Sequence, residues 1–335
     1  MTEVDLLRAV VAVLLLLTVS CTSTPGSSVS STGWGASGGA LVYLSQGDQF
    51  RSLTLSGGAA DQIVVVPAGI VAGSARWSED GTMVAYRRDQ DFYVAKADGS
   101  DERLLLDPAD AEVSGPVAWA PDGARLAAVA YPWSSSDLSS RVEVVDVASG
   151  SSAPVPGLGG IGDATSLDWA PDGRRLVLAG VLLAGGAGIF VGSLDGGGWV
   201  QVLEGSGHED ADWSPTSERL VFGTDGPWAP RSGNPSTPAC SAHGWKVFTM
   251  NADGSDRRRL TTGKVFEWDP MWSPDGGWIA FGTDQPPNGS SRRCTRFDPS
   301  SRAVWAVRPD GSDAQLLREG NALQWQWLRS SPPAA

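Results

Sequence analysis

The chain has 335 residues, 41% hydrophobic and 19% charged, with a formal charge of −13. That is enough apolar material for a sizeable core, and an acidic surface that repels polyphosphate and excludes general nucleic-acid binding. Two histidines and three cysteines leave no adequate donor set for zinc, iron–sulfur or haem, so no metal and no other cofactor is expected, while 42 Gly, 22 Pro and 15 Trp beside 4 Met point to turns, large flat anchors and an all-β fold.

From Ala9 to Val19 the sequence is continuously apolar apart from Thr18. A bilayer-crossing helix takes about 20 such residues, so this run is too short to span and fits the apolar region of a secretory signal covering residues 1–20. Thr18-Val19-Ser20-Cys21 resembles the lipobox of bacterial lipoproteins, whose cysteine is lipidated and becomes the first mature residue. Thr18 stands where that motif prefers Leu, and Glu3 and Asp5 offset Arg8. The resemblance implies lipidation at Cys21 and a place on the outer face of the bacterial cytoplasmic membrane, with secretion or a periplasmic location as the alternative. Two acyl chains make such an anchor stable. Residues 21–39, rich in Ser, Thr and Gly, read as a flexible tether.

A repeat fills residues 40–329 and leaves 330–335 as a tail. Its motif, Trp-Ser/Ala-Pro-Asp-Gly or a variant, occurs at Trp77, Trp119, Trp169, Trp213 and Trp272, and a bare tryptophan follows at Trp327. Successive intervals of about 42–59 residues are propeller-blade lengths. Behind each motif comes a short apolar run (MVAYR, RLAAVAY, RLVLA, RLVFG, WIAFG), then a loop and a second run (FYVAK, VEVVDV, GIFVGS, KVFTMN, AVWAVR). Asp-Gly turns at Asp98, Asp195, Asp253 and Asp310 lead into a further strand. Each unit is thus a four-stranded antiparallel meander. Pro sets the turn, Gly accepts positive φ, and Asp bonds local donors, while the tryptophan packs between blades. The count predicts a six-bladed β-propeller. Its first blade joins ALVYLS, FRSLTLS and QIVVVP to the C-terminal ALQWQWL, so that the two chain ends close the ring and leave no free inner edge.

The units WSPDG…WIAFG and KVFTMNADGSDRRRLT resemble the WD40-like repeat of TolB-like propellers, over about Ala40 to Leu328. The resemblance implies the repeat architecture. TolB carries an α/β domain before its propeller, and only a tether precedes this one, so membership of a Tol complex is not implied.

Cys240 and Cys294 remain after Cys21, an even pair in an exported chain. Each lies in a loop of about 20 residues between the second and third strands, in adjacent blades five and six and on one propeller face, so a disulfide is expected, contributing about 4 kcal/mol in the loop-entropy picture. Two unpaired loop thiols are the alternative. Long loops on a rigid scaffold carry binding residues. The candidate binding face comprises Trp133, Trp228, Arg231, His243, Trp245, Arg292, Arg293 and Phe297, a composition of interface anchors. Plain surface loops are the competing reading.

On the same face, the segments leading into the motif tryptophans carry Glu112, Asp163, Glu209, Asp210, Glu267 and Asp269 at the mouth of the central channel. They form either a funnel for a cation such as calcium or a cationic ligand, or a solvated rim. No nucleophile motif accompanies the two candidate bases His208 and His243, so no catalytic residue is assigned. The Asp-Gly carboxylates read as turn formers on the opposite face, and Arg257 to Arg259 as an exposed outer strand. The expected protein is a monomeric, non-enzymatic binding or scaffold lipoprotein of the envelope, with a protein, peptide or glycan partner. A propeller hydrolase or lyase using the acidic channel mouth is the alternative.

Overall fold

A computed structural model describes residues 40–45, 49–54, 61–63, 74–89, 91–106, 111–132, 140–205, 207–224, 245–262, 266–283, 303–319 and 325–329. These residues form six four-stranded antiparallel sheets, the blades of a β-propeller. The innermost strands are Trp325–Leu328, Arg76–Trp77, Ala111–Trp119, Ile161–Trp169, His208–Trp213 and Glu267–Trp272, for blades one to six. Blade one is completed as the sequence implies: Ala40–Ser45 pairs with Gln49–Thr54 on one side and with Trp325–Leu328 on the other, in the register Ala40↔Leu328, Leu41↔Trp327, Val42↔Gln326 and Tyr43↔Trp325.

The motif letters do local work first. Asp80 accepts hydrogen bonds from the backbone and hydroxyl of Thr82 and from Ser78 Oγ, while Asp122, Asp172 and Asp275 accept from the backbone N–H of Ala124, Arg174 and Gly277. Gly81, Gly123, Gly173 and Gly276 hold φ between 66° and 71°, where a Cβ is disfavoured. The second turn is equally regular: Asp98, Asp253 and Asp310 each accept from both the N–H and the Oγ of the serine two residues on. These carboxylates are consumed by turn formation.

Packing then repeats at the seams. Among the described residues the buried apolar side chains fall into six clusters, each drawing on two neighbouring blades and each containing one of Trp77, Trp119, Trp169, Trp213, Trp272 and Trp327. At two of the seams the indole N–H reaches back across: Trp119 Nε1 donates to the Arg76 carbonyl at 2.9 Å and Trp169 Nε1 to that of Ala118 at 3.1 Å. The arginine after the preceding turn covers the ring, with the Arg125 guanidinium 4.9 Å from the Trp169 centroid and that of Arg175 5.0 Å from Trp213.

Some turns are also seam contacts. Gly254 has φ +84°, and a Cβ there would lie 2.3 Å from the Val202 carbonyl oxygen of blade four. Gly123 has φ +66° and nothing within 4 Å. Gly123→Ala is therefore expected to cost only the left-handed backbone penalty, about 1–2 kcal/mol, and Gly254→Ala clearly more. Urea midpoints of the two variants check this, and equal losses would mean that the turn of blade five does not bear on blade four.

Candidate functional site

The innermost strands line a central channel with about 320 Å³ of space open to water. Its wall is set by two positions of the repeat. The residue immediately before the motif tryptophan is Arg76, Ala118, Asp168, Asp212, Met271 or Gln326, and all six line the channel. The residue two after it is Pro in blades three to six, Glu79 in blade two and Arg329 in blade one, and these form the rim at the turn face. Glu79 and Arg329, the two departures from proline, pair with each other at 2.8 Å, and Arg329 N–H also donates to the Glu79 carbonyl. Burial raises the Glu79 pKa, against the pull of Arg329.

The carboxylates of the wall are engaged with the blade that follows. Asp168 accepts from the Trp213 backbone N–H and Asp212 from that of Trp272, each at 2.7 Å. Ser166 Oγ accepts from Ala211 N–H at 2.7 Å, and Asp210 Oδ2 from Asp269 N–H at 3.1 Å. Burial pushes Asp168 up to about 7 and holds Asp212 well above the carboxylate range, the neighbouring Asp168 adding to the second shift. Arg76 is pulled below its ordinary value by burial, which Asp269 and Asp210 oppose.

Of the residues expected at the channel mouth, Asp210 and Asp269 line the channel. Both sit at β-bulges with positive φ, 54° and 46°, a strained backbone that re-aims the side chain. Glu267 does not join them. It is buried at the seam between blades five and six, 3.5 Å from Lys246 Nζ, and accepts from Val247 N–H and Thr261 Oγ1. Asp163 is exposed and Glu112 half-buried at the starts of their strands, neither on the channel wall. His208 and Glu209 pair through the backbone with Thr224 and Gly223. Arg258 and Arg259 are exposed on the outer strand of blade five, and Arg258 bonds Asp256.

Trp245 closes the first long insert and is half-buried. Its ring lies 6.1 Å from Phe266, which is 6.0 Å from Trp268, itself 6.2 Å from Trp325 on the channel wall. Gly282 makes this band possible: a Cβ there would sit 2.2 Å from the Trp325 ring and 2.5 Å from that of Trp268. Cys21, Trp133, Trp228, Arg231, Cys240, His243, Arg292, Arg293, Cys294 and Phe297 lie outside the described residues. Among the described residues no group of three or more His, Cys, Asp or Glu is placed to hold a metal ion. Arg76, Glu79, Asp168, Asp212, Gln326 and Arg329 were missed by sequence reasoning, although their fixed offsets from the motif tryptophans are visible in the repeat.

No protein-family model matches the sequence. Among solved structures, the chain resembles TolB from Acinetobacter baumannii with a TM-score of 0.61 and 14% identity, covering 88% of this chain and 67% of that one. A putative TolB from Agrobacterium tumefaciens matches with a TM-score of 0.57 and 17% identity over 91% of this chain and 94% of that one. A chain of a nidogen/laminin complex matches with a TM-score of 0.57 and 12% identity over 85% and 94%. At these identities the likeness is one of fold alone, and the fold is a β-propeller similar to that of the TolB structures.

Proposed function

We propose that the protein is a non-enzymatic binding or scaffold lipoprotein of the bacterial cell envelope, exported by its signal segment, held to the outer face of the cytoplasmic membrane through Cys21, and presenting the inserts of blades five and six to a protein, peptide or glycan. The observation that carries this reading is the engagement of the channel carboxylates. Asp168, Asp212 and Asp210 each accept a backbone hydrogen bond from the next blade, which is the work of a scaffold. The inserts leave from Thr224 and Thr283 and return at Lys246 and Ala303, equivalent strand ends of adjacent blades, and a Cys240–Cys294 bridge would tie them into one surface. One structure of similar fold is a chain of a nidogen/laminin complex, which is in keeping with a protein partner.

The test is crosslinking on intact cells with the full chain and two variant sets. Joint alanine replacement of Trp228, Arg231, Arg292, Arg293 and Phe297 is expected to reduce capture of the envelope partner at least about tenfold, as loss of interface anchors does. Asp210→Asn with Asp269→Asn is expected to leave capture intact. The opposite pattern would favour the channel-mouth enzyme reading, with Asp210 and Asp269 as the residues to test for turnover.

A further inference from the structure

Exposed apolar side chains are unevenly placed on this propeller. Among the described residues four large hydrophobics are exposed, and three of them, Val181, Leu183 and Val200, belong to blade four. Scattered apolar residues are ordinary on a surface, whereas a contiguous apolar patch marks an interaction site. Val181 and Leu183, 40% and 65% exposed, sit on one hairpin, which joins Arg175–Leu182 to Gly186–Ser193. That hairpin is the second-to-third connection of its blade, the place where blades five and six carry their long inserts, so it stands on the same face. Ala184, Gly185 and Gly186 complete the exposed apolar tip.

Two uncharged stretches meet at this tip. No charged residue falls between Asp146 and Asp163, or between Arg175 and Asp195. Leu183 N–H donates to the Gly160 carbonyl at 2.9 Å, and the Leu183 side chain lies over Gly162, where a Cβ would come within 3.1 Å of it. The turn itself is tight. Leu182 pairs with Gly186, whose φ is +77°, and Gly185 N–H donates to the Leu182 carbonyl at 3.3 Å, so little ordering is left to be done on binding. Carboxylates flank the tip on both sides: Asp163 stands opposite Val181 on the inner strand and Glu204 opposite Gly188 on the outer one, both exposed. Asp163 forms no ion pair among the described residues. Arg141 of blade three, next to the Ser140 that bridges to Ile161, is bonded to Glu143.

We infer that the blade-four hairpin is an apolar knob that docks into an apolar pocket of a protein partner, with Lys or Arg on the pocket rim facing Asp163 and Glu204. The inference rests on the binding reading above and adds blade four to the surface formed by the two inserts. Charge decides among the occupants. A second copy of the chain, meeting tip to tip across a two-fold axis, would set the same carboxylates against each other. An anionic lipid surface would meet them with like charge. A basic rim pairs with them around an apolar centre, which is the anatomy of a specific protein interface. The formal charge of −13 adds long-range attraction for such a partner.

The test is NMR titration of the full chain with an amphipathic helical peptide of Leu and Lys, whose apolar stripe is bordered by ammonium groups. The same peptide with Glu in place of Lys, and vesicles of phosphatidylethanolamine and phosphatidylglycerol, are the comparisons. The Leu/Lys peptide is expected to shift the amide signals of Leu183, Ala184 and Gly185. Val181→Ser with Leu183→Ser is expected to weaken its binding at least about tenfold, Asp163→Asn with Glu204→Gln at least about threefold, and Val200→Ser, an exposed apolar position away from the tip, less than about twofold. All of these positions are exposed, and an unchanged urea midpoint verifies that each variant folds. Absence of the shifts, equal binding of the Leu/Glu peptide, or the same shifts with vesicles overturns the knob. Adding the serine pair to the crosslinking on intact cells separates the two readings. Capture that falls with the insert variant but not with the serine pair overturns the knob alone, and capture that falls with both supports it. A peptide response beside capture that is indifferent to the inserts overturns the insert reading and leaves the knob standing.

Discussion

Trp169→Ala is expected to cost about 3–5 kcal/mol, a third or more of the stability of an ordinary domain. Trp169 is 3% exposed and packs with Ala118, Ala127 and Val129 of blade three and with Leu176, Leu178 and Phe190 of its own blade. Truncation removes the ring from the seam, leaves the Ala118 carbonyl without its indole donor, and strips the Arg125 guanidinium of the face it covers. Because each blade touches only its neighbours, the loss is not absorbed by a common core. A control on the same scaffold is Val200→Ala, a 62% exposed position expected to change stability by less than about 0.5 kcal/mol. Urea unfolding compares the two. A Trp169 loss below about 1 kcal/mol, at an unchanged denaturant slope, would mean that the seams do not hold the ring.

Why the fold is so readable follows from this division of labour. Each repeat must make a turn, bury a ring against the previous blade and present strands, so every motif letter has a local reason and recurs. Even the degenerate WSPTS at Trp213 keeps the turn: Ser214 N–H donates to the Arg219 carbonyl at 2.9 Å, and Ser217 Oγ bonds Ser214 Oγ at 2.8 Å. Closure by the termini was legible for the same reason. The strand around Val42 lacks a motif tryptophan of its own, and the strand around Trp327 supplies one.

The channel was less legible, because its residues answer to the neighbouring blade rather than to the repeat. Arg76, Ala118, Asp168, Asp212, Met271 and Gln326 share a position and almost no chemistry. Bulges defeat extrapolation along the strand as well. Glu267, Asp269 and Met271 alternate as if on one side of a strand, yet the register slips between Trp268↔Gly282 and Met271↔Ala280, three residues against two. One extra residue reverses the facing of all that precedes it. Glu267 is thus turned into the seam beside Lys246, while Asp269, within the bulge itself, lines the channel. A carboxylate count before each tryptophan cannot foresee that reversal.

Removing residues 321–335 is expected to abolish the stable monomer. The deletion takes Trp325 and Trp327, 4% and 6% exposed, out of the seam between blades six and one, and uncovers Leu41, Trp278 and Ala280, which are 0–1% exposed in the closed ring. It also removes Gln326, which holds Trp77 by two hydrogen bonds, and the Arg329 partner of Glu79. Two buried indoles alone amount to about 6–10 kcal/mol, comparable with the whole stability of a domain. What remains is an inner edge, Ala40–Ser45, with open backbone groups facing a channel that now has a gap in its wall. An edge of that kind takes up a matching strand. A synthetic peptide spanning Gln324 to Arg329, added in excess during refolding, is expected to restore a soluble monomer and a cooperative unfolding transition, and a peptide with Trp325 and Trp327 both replaced by alanine is not. Size-exclusion chromatography and urea unfolding read the outcome. If the truncated chain is monomeric and unfolds at the midpoint of the full one, the pairing of the two chain ends contributes nothing to closing the ring.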